Sequence, residues 1–213
     1  MPSFIGNISL NISLIVYLTF LIPQIINNIQ AKNIQGLSLG FHFILFAAFI
    51  CDLLYGFGEQ MQWQYKAVTI VGLICLSVQH YQIYVHKELD FKSKQIYWLL
   101  SIVFFCFLSL GFFFIQNFHL NKSWILAFGT VSQAGWITYA IPQIFKNYQL
   151  KSTLGISIYF VTLSTIAVTC DIVSAWSLNW GLPNKIGAPI SLFIKLILLS
   201  QFFLYRQSKR PII

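Results

Sequence analysis

The chain has 213 residues, of which 57% are hydrophobic and 8% are charged, and its formal net charge is +8. Soluble domains carry roughly 25% charged residues, so this composition excludes an ordinary water-soluble domain. The lysines and arginines lie mostly in short breaks between apolar runs, which is typical of a membrane protein and not of a nucleic-acid-binding protein. The cysteines lie inside the apolar runs, so neither a disulfide framework nor a metal site is expected: Cys51, Cys75, Cys106 and Cys170.

In chain order, seven apolar runs are long enough to cross a bilayer as a helix, which takes about 20 residues. The predicted spans cover about residues 8–28, 37–57, 65–85, 96–118, 124–145, 156–178 and 185–205. The polar breaks between them are short, so no soluble domain is predicted. We therefore expect an all-α membrane protein with seven transmembrane helices.

An internal repeat organises these spans. Residues 23–57 align without a gap to residues 142–176, at an offset of 119, and 12 of the 35 aligned positions are identical. This duplication predicts two three-helix repeats, in residues 1–90 and 121–213, with a linker helix in residues 91–120. A single linker helix gives both repeats the same orientation, so the predicted arrangement is 3+1+3 with parallel repeats.

The distribution of lysine and arginine predicts how the chain is oriented in the membrane. Nine of these cations fall on one side: Lys32, Lys87, Lys92, Lys94, Lys146, Lys151, Arg206, Lys209 and Arg210. Three fall on the other side: Lys66, Lys122 and Lys185. This asymmetry predicts a cytoplasmic C-terminus and an N-terminus outside, periplasmic or luminal. We expect a bacterial inner membrane rather than a lysosomal one.

A short motif recurs at the end of the first span of each repeat. The second copy reads Pro142-Gln143 and is followed by Lys151-Ser152-Thr153-Leu154-Gly155-Ile156-Ser157; the first copy, from Pro23-Gln24, is looser. The motif resembles the PQ-loop motif of cystinosin-like transporters and of the SWEET and SemiSWEET sugar transporters. The resemblance covers essentially the whole chain and implies a SWEET-like fold with a transport function, not an enzymatic one.

The proline of each motif is a candidate hinge. Proline removes a backbone donor and frees a carbonyl one turn earlier, which weakens the helix at Pro23 and Pro142. In lipid the freed groups need partners, and the side chains of Gln24 and Gln143 offer both a donor and an acceptor. The alternative is that Pro-Gln only ends each helix at the membrane surface. The recurrence of the dipeptide at repeat-related places favours the hinge.

Three charged residues lie well inside the spans, away from their first and last turns: Asp52, Asp171 and Lys195. Each costs roughly 3 kcal/mol to insert, so each is expected to face the bundle interior and is a functional candidate. A rise of about 1.5 Å per residue puts all three in the outer half to the middle of the bundle, within reach of one another. Two carboxylates and one ammonium suit a zwitterion or a cation, because carboxylates bind an amine and lysine binds a carboxylate. The alternative is a charged cluster that only locks helices together.

Other residues complete the predicted substrate-binding or proton-coupling site. Thr69 is a polar candidate of the third span, and three aromatic residues could line the substrate route: Tyr17, Trp136 and Tyr139. The resemblance also shows two departures from the family. Asp52 stands where SemiSWEET has a pocket Trp, which argues against sugar stacking. Lys195 falls near the proton-binding Asp of cystinosin, so proton coupling stays open.

No catalytic, metal-binding or cofactor-binding constellation is predicted. We expect a transporter that moves a small polar metabolite, an amino acid or an amino-acid-like zwitterion or cation, by alternating access. The alternatives are facilitated diffusion of a sugar, vitamin or nucleoside-like solute, and a lipid scramblase or non-transporting receptor. The expected partners are a small-molecule substrate and the lipid bilayer, not nucleic acid, and a homo-oligomer stays open.

Overall fold

The computed structural model describes residues 2–30, 37–86, 91–118 and 121–205, and the regular structure in these ranges is helical. The helices are, in chain order, α1 (Pro2–Phe20), α2 (Ile22–Gln30), α3 (Leu39–Gly58), α4 (Trp63–His86), α5 (Phe91–Phe118), α6 (Lys122–Thr138), α7 (Ile141–Leu150), α8 (Ile158–Ser177) and α9 (Leu182–Leu204). The seven predicted spans correspond to α1 with α2, α3, α4, α5, α6 with α7, α8 and α9. Six of these, α1 with α2 among them, are long and apolar enough to cross a membrane, and the pair of α6 and α7 supplies the seventh.

The first span of each repeat is broken into two helices at its Pro-Gln motif. α1 ends at Phe20 and α2 begins at Ile22, while α6 ends at Thr138 and α7 begins at Ile141. Proline has no N–H to donate to the carbonyl one turn earlier, so regular helical bonding stops just before it. The structure thus interrupts the two spans that were predicted as continuous. The breaks lie where the hinge hypothesis expects them, and the motion itself stays a prediction.

The helix bounds of the two repeats are related by the same offset of 119 residues as the sequence repeat. α3 and α8 have equivalent bounds once 119 residues are added, and α4 and α9 begin at equivalent positions. After its second span, each repeat turns through a residue in the left-handed conformation: Gln60 at φ 51° and Asn179 at φ 53°. The duplication therefore extends from the sequence to the turns and helix ends.

The two repeats pack on each other through their first and second spans. α1 packs mainly on α8 and α6 packs mainly on α3, while α4 and α9 each contact both other spans of their own repeat. Gly135 permits the close approach of α6 to α3, because a Cβ atom there would lie 2.7 Å from Ala48 Cβ. α5 contacts α3 on the outside of the bundle, as a linker helix should.

This architecture confirms the predicted all-α fold with a 3+1+3 arrangement. The predicted repeat boundaries at residues 90 and 120 lie outside the described residues. Several side chains of the orientation count also lie outside them: Lys32, Lys87, Lys92, Arg206, Lys209 and Arg210. Orientation therefore stays a prediction. The side of the bundle that carries the Pro-Gln motifs is called the PQ side, and the side where α1 begins is called the N-terminal side.

Candidate functional site

A cavity of about 50 Å³ lies between the two repeats. Its wall comes from α1, α3, α4, α6, α8 and α9, and the repeat-related residues Asp52 and Asp171 both line it. Tyr65 and Asn184, close to the beginnings of α4 and α9, also line it, so the cavity occupies the half of the bundle nearer the N-terminal side. The repeat symmetry thus brings two carboxylates to one central space.

Each carboxylate accepts a serine hydrogen bond from the other repeat. Ser13 Oγ donates to Asp171 Oδ1 at 2.6 Å, and the Tyr17 hydroxyl donates to Asp171 Oδ2 at 2.7 Å. Ser132 Oγ donates to Asp52 Oδ1 at 2.7 Å. Ser13 and Ser132 are 119 residues apart, the offset that also relates the two aspartates. The duplication has therefore built the same serine–carboxylate contact twice.

Lys195 is buried beside the cavity but does not line it. It lies on α9, one turn further toward the PQ side than Ser191, which is part of the wall. Its ammonium donates to the Ser164 carbonyl at 3.2 Å and lies 5.3 Å from the ring centre of Trp136. Within the described ranges it forms no ion pair with either aspartate. The sequence predicted that the three charges lie within reach of one another, whereas the structure places the Lys195 ammonium outside the cavity that the two aspartates line. A depth count predicts the level of a residue in the bundle and not the direction of its side chain.

Three of the remaining predicted site residues line the cavity, and one does not. Tyr17, Trp136 and Thr69 are part of the wall. The Thr69 hydroxyl donates to the backbone carbonyl of Lys66 at 2.9 Å, so its hydrogen bond is used within α4. Tyr139 lies about one turn beyond Trp136, buried, with the two ring centres 5.8 Å apart. Tyr139 thus belongs to the layer beneath the cavity.

The structure adds polar residues that sequence reasoning did not single out. Tyr65 donates a hydroxyl hydrogen bond to Asp52 Oδ1. Gln133 Nε2 donates to Asn184 Oδ1 at 2.5 Å, and both of these amides line the cavity. The repeat offset is a signal that could have found the two serines described above, since polar residues at matching positions inside two spans are unusual. Tyr65 and Asn184 are also 119 residues apart, but they lie at the edge of the predicted spans, and the offset gives no signal for Gln133.

An aromatic layer fills the bundle on the PQ side of the cavity. Phe20 stacks on Phe160 with 5.4 Å between ring centres, and Phe41 contacts Tyr139 at 5.1 Å. None of these four rings is more than 1% exposed. The offset of 119 relates Phe20 to Tyr139 and Phe41 to Phe160, so both repeats contribute equally. The layer closes the cavity toward the PQ side.

Beyond the aromatic layer, each Pro-Gln motif starts a relay of amide hydrogen bonds. In the first relay, Gln24 Oε1 accepts from the backbone N–H of Ser157 at 2.8 Å, and Gln24 Nε2 donates to Asn28 Oδ1 at 2.8 Å. Asn28 Nδ2 donates to Gln82 Oε1 at 3.0 Å, and Gln82 Nε2 donates to the Ile25 carbonyl at 3.2 Å. The relay therefore connects the first repeat to the beginning of α8 in the second.

The second relay has the same partners at the offset of 119. Gln143 Oε1 accepts from the backbone N–H of Ser38 at 2.9 Å, and Gln143 Nε2 donates to Asn147 Oδ1 at 2.8 Å. Asn147 Nδ2 donates to Gln201 Oε1 at 2.9 Å, and Gln201 Nε2 donates to the Ile144 carbonyl at 3.0 Å. The motif glutamines thus have the partners that buried amides need in lipid.

The layer of residues that covers the cavity on the N-terminal side is thinner than the one on the PQ side. It consists of a small apolar cluster: Leu10, Tyr55, Met61, Ala175 and Trp180. On the PQ side, by contrast, the aromatic layer and both relays separate the cavity from the end of the bundle.

The fold and the cavity define a multi-pass membrane protein whose two three-helix repeats enclose a central polar site. Residues 5–65 and 124–183 match the PQ loop repeat, and the chain belongs to this family. The family that the Pro-Gln motifs suggested is thereby confirmed.

The chain is similar to named transporters. It is 32% identical to the vacuolar lysine transporter YPQ1 of Saccharomyces cerevisiae over 102 residues, which are 44% of this chain and 33% of the yeast protein. It is 25% identical to the cystinosin homolog of Dictyostelium discoideum over 219 residues, covering 88% of this chain and 76% of that protein. A eukaryotic SWEET transporter has the same fold, with a TM-score of 0.70 at 15% identity over 97% of this chain and 99% of that chain.

These similarities support a membrane transporter as the broad class of the protein. The match to the yeast relative covers one third of that relative's length, so its substrate is considered only as a proposal below. The yeast relative is vacuolar by name, and the expected bacterial inner membrane stays a prediction.

Proposed function

We propose that the protein carries a small amino acid with a positively charged amine, zwitterionic or net cationic, by alternating access. The observation that carries this proposal is the pair of carboxylates, Asp52 and Asp171, in a cavity whose described lining contains no lysine or arginine. A carboxylate in a low-dielectric site is costly unless an opposite charge meets it. A substrate ammonium would supply that charge and form charge-assisted hydrogen bonds.

The hydroxyl groups around the carboxylates suit this role. Ser13 and Tyr17 hold Asp171 in place, and Ser132 holds Asp52, so both acceptors are oriented before the substrate arrives. Preorganised groups bind more tightly because less ordering is needed on binding. The names of the relatives, a lysine transporter and a cystinosin homolog, also favour an amino acid over a sugar.

The different thickness of the layers that close the two ends of the cavity supports alternating access. Opening toward the N-terminal side requires only the small apolar cluster to separate. Opening toward the PQ side requires the aromatic layer and the two relays to separate, with Pro23 and Pro142 as the proposed hinges. Parallel repeats that rock against each other would exchange these two states around a fixed site.

Uptake into liposomes tests the proposal. The purified protein should import radiolabelled L-lysine or L-arginine, and Asp52→Asn or Asp171→Asn should lower uptake at least about tenfold, since each change removes a charge-assisted interaction while keeping the side-chain shape. Glu59→Gln, which removes a half-buried carboxylate outside the cavity lining, is the matched control and should transport normally.

Three outcomes would contradict the proposal. Glucose uptake without amino-acid uptake would favour a sugar carrier, and lipid exchange without solute uptake would favour a scramblase. Equal uptake by the native protein and both aspartate variants would remove the carboxylates from the substrate site.

A further inference from the structure

The end of the cavity nearest the N-terminal side carries two hydrogen-bond donors that lack acceptors. Trp180 Nε1 and Asn184 Nδ2 are buried and have no hydrogen-bond partner in the described part of the chain. Both residues line the cavity, and they are only 6% and 3% exposed. Buried polar groups nearly always have a partner, so two orphan donors in one cavity wall indicate an acceptor that the protein itself does not supply.

The position of these donors favours a negatively charged acceptor. Asn184 is the third residue of α9, where the first backbone N–H groups and the helix dipole produce a positive potential. The Asn184 side-chain oxygen already accepts from Gln133 Nε2, which directs the free amide donor away from that contact. A carboxylate is the anionic group that an amino acid brings to such donors.

The two aspartates lie deeper in the cavity than these donors. Asp52 is six residues before the end of α3 at Gly58, whereas Asn184 is two residues after the beginning of α9 at Leu182. Both helix ends are on the N-terminal side, and a helix rises about 1.5 Å per residue, so the two levels differ by roughly 6 Å. This separation matches an amino acid with its amine toward the carboxylates and its carboxylate toward the N-terminal side.

We propose that Trp180 Nε1 and Asn184 Nδ2 form the subsite for the α-carboxylate of the substrate, while Asp52 and Asp171 take its amino groups. The inference rests on the proposed function, because it orients the substrate within the same cavity. It gives these two donors the role that the sequence suggested for Lys195, which does not line the cavity. The cavity then distinguishes amino acids from simple amines at the Trp180–Asn184 end.

The test compares L-lysine with cadaverine, which is lysine without its carboxylate. Asn184→Asp keeps the side-chain shape and replaces the donor by a negative charge. Uptake of lysine at low concentration should fall at least about tenfold, since the substrate carboxylate loses a hydrogen bond and meets a like charge. Uptake of cadaverine should stay within about twofold of the native protein or rise, because the added charge favours a diamine.

Trp180→Phe provides a milder variant that keeps the ring and removes the N–H. Lysine uptake should fall about tenfold and cadaverine uptake should not change, since only the carboxylate uses this donor. Asn179→Asp is the matched control, because Asn179 is an exposed asparagine on the same side whose oxygen accepts from Lys185. It should leave the ratio of lysine to cadaverine uptake unchanged.

Equal losses for both probes in Asn184→Asp and Trp180→Phe would overturn the subsite, because a structural defect affects both substrates alike. An unchanged lysine-to-cadaverine ratio in both variants would also overturn it, while leaving the proposed function intact. If the native protein takes up neither probe, the proposed function fails and the subsite fails with it.

Discussion

Lys195 shows how a buried cation can be held without a carboxylate. Its ammonium donates a hydrogen bond to the Ser164 carbonyl. It also lies over the faces of Trp136 and Tyr139, 5.3 Å and 5.7 Å from the respective ring centres. Aromatic faces carry a negative potential and stabilise such a cation. The cavity carboxylates take their described hydrogen bonds from hydroxyl groups instead. Lys195 and Asp171 should therefore be only weakly coupled in stability.

We predict that Lys195→Met changes the free energy of unfolding by less than about 1 kcal/mol, because the ammonium donates to a backbone carbonyl and the change breaks no direct ion pair. Under the helix-lock hypothesis, the change would strand a carboxylate and destabilise the protein by roughly 3–5 kcal/mol. Thermal unfolding of Lys195→Met, Asp171→Asn and the double variant distinguishes the two. Additive effects on stability support weak coupling between the two residues. A double variant more stable than Lys195→Met alone would instead support the helix-lock hypothesis.

The amide relays join each Pro-Gln motif to a helix of the other repeat. A substitution in the motif of one repeat should therefore weaken a backbone hydrogen bond in the other repeat. We predict that Gln24→Leu accelerates amide exchange at Ser157 at least about tenfold, because this N–H loses its acceptor. Gln143→Leu should act in the same way on Ser38. Hydrogen–deuterium exchange with mass spectrometry measures both effects.

Gln30→Leu is the control for the relay experiment, since it changes an exposed glutamine of the same helix, α2. It should leave the exchange at Ser157 as it is in the native protein. Unchanged exchange at both serine amides in the two motif variants would mean that the relays do not hold the repeats together.

Much of the fold and part of the site could be predicted from the sequence. Hydrophobic length defines the spans, and the offset of 119 places Asp52 and Asp171 at equivalent positions, so their meeting in one cavity follows from the repeat. The same offset relates Ser13 to Ser132, but only the structure shows that each serine reaches the aspartate of the other repeat. The placement of Lys195 beneath Trp136 could not be predicted, because sequence spacing does not determine how neighbouring helices are rotated or where a long side chain points.

The bundle as a whole combines near-symmetry with one asymmetric charge. Spans, turns, carboxylates, serines, aromatic layer and relays are all present twice, which suits a carrier whose halves exchange roles between two states. Lys195 breaks this pattern, because its repeat-related position is Leu76. The buried ammonium of Lys195 therefore belongs to the second repeat alone. A substrate in the cavity would meet Asp52 and Asp171 in different electrostatic surroundings.

The orientation of the whole bundle decides which compartment faces the thinner cover of the cavity. The charge count of nine to three predicts a cytoplasmic PQ side. In a background whose native cysteines are replaced by alanine, a membrane-impermeant maleimide should label Gln60→Cys and Asn179→Cys in sealed cells, since both positions are exposed on the N-terminal side. Lys151→Cys, exposed on the PQ side, should be labelled only after the cells are permeabilised. The reverse pattern would invert the orientation, and the thinner cover would then face the cytoplasm.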